Sequence, residues 1–135
     1  IIWVYPKTWG FGCAGTCKLL TNGRFSMGLW GGFNENFWAT SNEIDFIDTP
    51  AGSIELNKWQ MLAFTRKSDG TGNLYINDEL SGDADQDSGA SMLAIHDVVV
   101  GNNNHDQFAF TGDMEMFKLY NRVLSAEELY NIYNG

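Results

Sequence analysis

Residues 59–80 read WQMLAFTRKSDGTGNLYINDEL, and the fold turns on how this stretch is arranged. Residues 59–66 are rich in large apolar and β-favouring side chains, and 74–76 form a second such run. Ser68-Asp69-Gly70-Thr71-Gly72 between them supplies two glycines able to take positive φ. The pattern predicts a β-hairpin. Side chains alternate along a strand, so Trp59, Met61 and Ala63 fall on one face and Leu62 and Phe64 on the other. A strand apolar on both faces belongs in the middle of a sheet. A buried helix is the rival reading of residues 59–64, because short apolar runs are ambiguous by period alone; the glycine-rich turn argues against it.

Working outward, the chain has 135 residues with 15 Gly, 2 Pro and 14% aromatic side chains, and turn signals recur at short intervals. This favours one all-β sandwich domain with a sizeable core over a helical bundle. Strands are expected at 1–5 (stopped by Pro6), 18–20, 23–30, 37–40, 44–47, 53–56, 98–100 and 112–120, with an acidic loop at 81–91 and a polar loop at 101–107. One helix stands out near the end. Ser125 is a good N-cap, Glu128 holds the capping-box position, and Leu124 and Leu129 form the flanking apolar pair. Leu129, Ile132 and Tyr133 then share a face that should dock on the sandwich. The net charge of -9, with eight scattered basic residues, argues against a phosphate backbone as partner. No apolar run approaches the roughly 20 residues a membrane-spanning helix needs.

Two motifs carry a resemblance. Trp59 followed by an apolar strand, an Asp-Gly turn and Leu74-Tyr-Ile-Asn77 is similar to the hairpin of laminin G-like domains in the concanavalin A-like lectin/glucanase superfamily. The run FTGDMEMFKLYNRVLSAEEL, residues 110–129, resembles that family's closing motif. The resemblance implies a two-sheet antiparallel jelly roll with a short C-terminal helix. It also implies a strand ahead of Ile1-Ile-Trp-Val-Tyr-Pro6, so residues 1–135 are expected to be one domain lacking its first strand, a piece of a longer or processed polypeptide. A strand from another chain or from a missing N-terminal segment would then fill an open sheet edge.

Four groups of residues are candidates for chemistry. Asp83, Asp85 and Asp87 alternate in a glycine-bearing loop and can converge hard oxygens on Ca²⁺, although Ser88 and Ala94 depart from the EF-hand pattern and a solvated loop explains the same residues. The resemblance also implies that the loop after Gly101 supplies calcium ligands, for which Asn103, Asn104 and Asp106 are the matching candidates, with amides where the family mostly has carboxylates; the same residues also suit a polar turn or hydrogen bonds to sugar hydroxyls. Glu43-Ile-Asp45-Phe-Ile-Asp48 is similar to the E-x-D-x-x-E motif of laminarinase-like glycoside hydrolases, with Asp where that motif ends in Glu. The shorter side chain retreats from the glycosidic oxygen, so an ordinary strand is the alternative. The fourth group is aromatic. Of Trp9, Phe11, Trp30, Phe33 and Trp38, the residues Trp9, Phe33 and Trp38 are expected to meet a ligand, while Trp3 and Trp59 are expected in the core.

Cys13 and Cys17 bracket three residues and can close a small disulfide, with a reduced pair as the alternative. Oxidised, they would indicate an extracellular or periplasmic location, and the location expected for the domain is extracellular, at a cell surface or at a virion surface. The function expected is a non-catalytic extracellular module binding carbohydrate or a protein surface, with Ca²⁺ as its cofactor. A laminarinase-like hydrolase and a structural adhesion or assembly subunit are the alternatives. If the acidic loop holds the ion, Ca²⁺ at about a hundredfold excess over its Kd stabilises the fold by about 2.7 kcal/mol. A calorimetric melt should show the rise and Asp85→Ala should abolish it; no rise at saturating calcium retires the ion.

Overall fold

A computed structural model of the chain describes residues 1–9, 16–22, 25–32, 34–41, 45–82, 98–102 and 108–135. Within these lie ten strands and one helix: β1 (Ile2–Pro6), β2 (Thr16–Thr21), β3 (Phe25–Trp30), β4 (Asn36–Ser41), β5 (Asp45–Asp48), β6 (Gln60–Arg66), β7 (Gly72–Ile76), β8 (Glu79–Gly82), β9 (Val99–Val100), β10 (Gly112–Glu115) and α1 (Ala126–Asn134). They form two five-stranded sheets, ordered β10-β1-β6-β7-β8 and β5-β4-β3-β2-β9, with every described pair antiparallel. This is the predicted jelly-roll sandwich.

The predicted hairpin is β6–β7, and β6 is the middle strand of its sheet. Its two apolar faces serve two layers. Leu62 points between the sheets with Ile2, Val4 and Leu74, meeting Leu19, Leu29, Phe37 and Ile47 of the other sheet. Ala63 points the opposite way and, with Tyr75, packs beneath Leu124 and Leu129. In the turn, Gly70 takes φ 90. Gly72 is needed for space, because a Cβ there would lie 2.6 Å from Ile47 Cδ1 on the facing sheet.

The helix begins as its sequence predicts. The Ser125 side chain accepts from the Glu128 backbone N–H at 3.2 Å, and the Glu128 carboxylate accepts from the Ser125 N–H at 2.8 Å. Arg122 donates both guanidinium arms to the same carboxylate at 2.9 and 2.6 Å, and with the Ser125 backbone bond this holds the Glu128 carboxyl down at about 2. Leu129 is fully buried, Ile132 packs beside it, and Tyr133 stacks on Trp3 with ring centroids 5.5 Å apart.

Several elements differ from expectation. Trp59 is 41% exposed and leans on Tyr5 instead of entering the core, because it precedes β6 and so escapes the sheet. The strand expected at 53–56 is a series of turns: the Gln60 side chain captures the Glu55 N–H at 2.8 Å, and Asn57 takes left-handed backbone at φ 57. The segment read as the head of an acidic loop begins instead in β8, turned tightly back on β7 at Asn77, φ 60. The closing strand stops at Glu115, since Met116 at φ 53 breaks the ladder, although Lys118 and Ile1 still exchange both backbone hydrogen bonds at 2.8 Å.

Pro6 ends β1 from inside it, opposite Gly112. The strand β1 has partners on both sides, β10 and β6, so the described sheet edges fall at β10, β8, β5 and β9. Burying Leu129 against Ala63 and Tyr75 is what fixes the helix to the sheet. Leu129→Ala should cost about 2–5 kcal/mol in urea unfolding; a loss well under 1 kcal/mol would show that the helix is not docked there.

Candidate functional site

The outer face of the second sheet gathers the polar and aromatic side chains that the core excludes. Residues directly opposite on antiparallel strands share a face. The register sets Trp30 opposite Thr16 and Asn36, and Trp38 opposite Gly28 and Asp48. The intervening Leu29, Phe37, Ala39 and Ile47 point into the core. Strand alternation alone therefore collects Thr16, Trp30, Asn36, Trp38 and Asp48 on one surface.

Trp38 is the floor of this surface. It is 2% exposed, and its ring lies so close over Gly28 that a Cβ there would be 2.6 Å from Cζ2. Its indole N–H donates to Thr16 Oγ1 at 3.1 Å. Trp30, partly exposed, rests against it with centroids 5.8 Å apart and planes 41° apart, and donates its own N–H to Asp48 Oδ1 at 3.2 Å. An indole held on one side by a second ring and at its edge by a carboxylate has little rotamer freedom left to lose on binding.

Asp48 ends edge strand β5. Although it lies at the surface, desolvation by the surrounding protein raises its carboxyl above the ordinary 3.8, and the Trp30 hydrogen bond only partly offsets this. Asn36 is 6% exposed; its amide donates to Thr49 O at 2.8 Å, while its Oδ1 has no partner among the described residues. A buried acceptor left unpaired costs about 1–3 kcal/mol. Lys18 borders the face on the far side, 3.5 Å from Ser26 Oγ and 5.8 Å from the centre of the Phe108 ring.

The residues named from sequence divide accordingly. Trp38 and Asp48 come together here. Trp9 is partly buried against the inter-sheet core, its Cβ close enough to Gly31 to press a Cβ built there to 3.0 Å. Asp45 is a β5 residue opposite Ser41. Cys17 is buried on β2. Cys13, Phe11, Phe33, Glu43, Asp83, Asp85, Asp87, Asn103, Asn104 and Asp106 lie outside the described residues. Among the described residues no three His, Cys, Asp or Glu side chains are grouped to hold a metal ion. Sequence reasoning passed over Asn36 and Thr16 and left Trp30 out of its ligand set. The signal was the β3–β4 register, which pairs Trp30 with Asn36.

Two stacked antiparallel sheets with a capped C-terminal helix on one outer face define a concanavalin A-like sandwich. Residues 2–130 match the family model described as the Concanavalin A-like lectin/glucanases superfamily, of laminin G type, and the chain belongs to that family. No curated protein matches it.

A titration tests the electrostatics of the site. The Trp30 indole N–H resonance should follow Asp48 with a midpoint above 3.8 and stop moving in Asp48→Asn. A raised folded-state value means that the stability Asp48 contributes is full below its unfolded value and is lost as pH rises through the folded one. A midpoint at or below 3.8 would show that the indole bond, not desolvation, dominates.

Proposed function

We propose that this domain is a non-catalytic recognition module that binds carbohydrate on the outer face of the β5-β4-β3-β2-β9 sheet. One observation carries the reading: Trp30 is partly exposed, backed by Trp38 and pinned through its N–H by Asp48. Sugar rings present C–H faces to indoles, and their hydroxyls need fixed acceptors nearby. The second Asp48 oxygen is an acceptor of that kind. Family membership is compatible with this but does not select it, since one fold hosts many functions. An extracellular location, the Cys13–Cys17 disulfide and a Ca²⁺ held by the acidic loop belong to the same proposal.

A hydrolase is the second reading, and Asp48 favours it. A carboxyl raised by desolvation is the form a general acid takes, with Glu43 as nucleophile, although the unbroken β4–β5 register sets positions 45 and 48 on opposite faces of the strand. The two readings separate in one set of measurements with β-glucan oligosaccharides. Binding without turnover, weakened roughly tenfold or more by Trp30→Ala at unchanged melting temperature, is the expected result. Turnover abolished by Glu43→Gln would replace the proposal with the hydrolase. Binding across a broad glycan panel that is indifferent to Trp30→Ala would remove this face from the account.

A further inference from the structure

A second aromatic ring borders the face that carries Trp30. Phe108 is partly exposed, and its carbonyl accepts from the Lys18 N–H at 2.9 Å. Leu19 O accepts from Gly101 N–H, and β9 pairs with Leu20 and Thr21, so Phe108 continues the line of partners along the side of β2 away from β3. Its own N–H donates to Asn102 Oδ1 at 3.3 Å, and Phe110, two residues on, donates to Gly101 O at 2.8 Å and packs against the core. The backbone around Phe108 is therefore anchored although it belongs to no strand. Its ring is restrained as well, because the Lys18 ammonium lies 5.8 Å from the ring centre, within cation–π range. Lys18 stands opposite Gly28, in the row that runs on through Trp38 to Asp48, and reaches Ser26 Oγ at 3.5 Å, which sets Phe108 beside the same outer surface as Trp30.

Spacing indicates what the two rings can hold. Trp30 is on β3 and Phe108 lies along the far side of β2, so two strand spacings, roughly 10 Å, separate their backbones across the sheet. The Trp30 ring leans further away, over Trp38 toward Asp48. One sugar ring cannot meet both aromatics. A chain of linked sugars can, if it lies across the strands with one ring on Trp30 and a later one on Phe108. The two ends of this track also differ in polarity: Asp48 is an acceptor, whereas the Lys18 ammonium is a donor. Sugar hydroxyls, which both donate and accept, suit the pair.

We infer that the ligand is an extended oligosaccharide, several sugars long, in place of a single terminal sugar, and that Phe108 is its second stacking subsite, with Lys18 beside it. The inference rests on the carbohydrate reading of this face. It adds a ligand class and a residue to that reading. Once one sugar is seated on Trp30, the contact with Phe108 is intramolecular, so it raises affinity without a second loss of translational freedom. A short ligand gains nothing from Phe108, because it cannot span the track.

Calorimetric titration of the chain with a β-glucan oligosaccharide series, from the monosaccharide to the hexasaccharide, tests this. Affinity is expected to rise with length and to level off once the chain reaches both rings. Trp30→Ala should weaken every member that binds. Phe108→Ala should weaken the long members roughly threefold to tenfold and leave the short ones unchanged. Phe108→Leu, which keeps apolar bulk without the ring, should lose as much at an unchanged melting temperature, and Phe108→Tyr should lose little. Affinity that is independent of length, or long-chain binding indifferent to both Phe108→Ala and Phe108→Leu, overturns the second subsite and leaves the Trp30 reading standing. A loss on Phe108→Ala that falls equally on short and long members overturns it too. No binding by any member removes the carbohydrate reading itself, and this inference with it.

Discussion

Burial of β6 on both faces is the constraint from which the architecture follows. A strand with Leu62 on one side and Ala63 on the other needs a layer above and a layer below. The second sheet supplies one and α1 the other. Because β6 lies between β1, which pairs with residues 60–62, and β7, which pairs with residues 62–66, its backbone is held along the whole strand. The capping box and the Arg122–Glu128 pair set where the helix starts, and Leu129 sets where it lands.

The asymmetry of the molecule follows from this. The β6 sheet spends its outer face on the helix. The other sheet, with no described helix on its outer face, can place tryptophans, an asparagine and an aspartate there without competing with the core. Gly28 makes the arrangement physically accessible: without a Cβ at that position the Trp38 ring can lie flat on the backbone, and Trp30 can lean on it from the next register position. On the proposed reading, recognition chemistry rests on rigid strands, which hold a ligand more accurately than loops do.

Much of the fold was legible because it is written in local patterns. Two-sided apolarity in 59–66 gave the central strand, and Ser125 with Glu128 gave the helix start. What escaped was set by contacts between distant residues or by single backbone angles. The β8 strand hid in an acidic stretch because Asn77 adopts left-handed backbone, which its sequence permits but does not announce. The closing strand was read too long because Met116, an apolar residue inside an apolar run, takes left-handed backbone and bends out of it. The site was half legible. Trp38 and Asp48 were named for unrelated reasons, and only the strand register joins them to Trp30 and Asn36. Exposure misled for Trp59 because a residue just ahead of a central strand shares its composition but not its burial.

Trp59, 41% exposed and resting on Tyr5, is an aromatic surface outside this face, which makes the location of binding the point to measure. The most direct measurement is an NMR titration of the five tryptophan indole N–H resonances with an oligosaccharide ligand. The account predicts that Trp30 and Trp38 shift together and saturate while Trp3 and Trp59 stay still. Shifts centred on Trp59, with Trp30 unmoved, would contradict it.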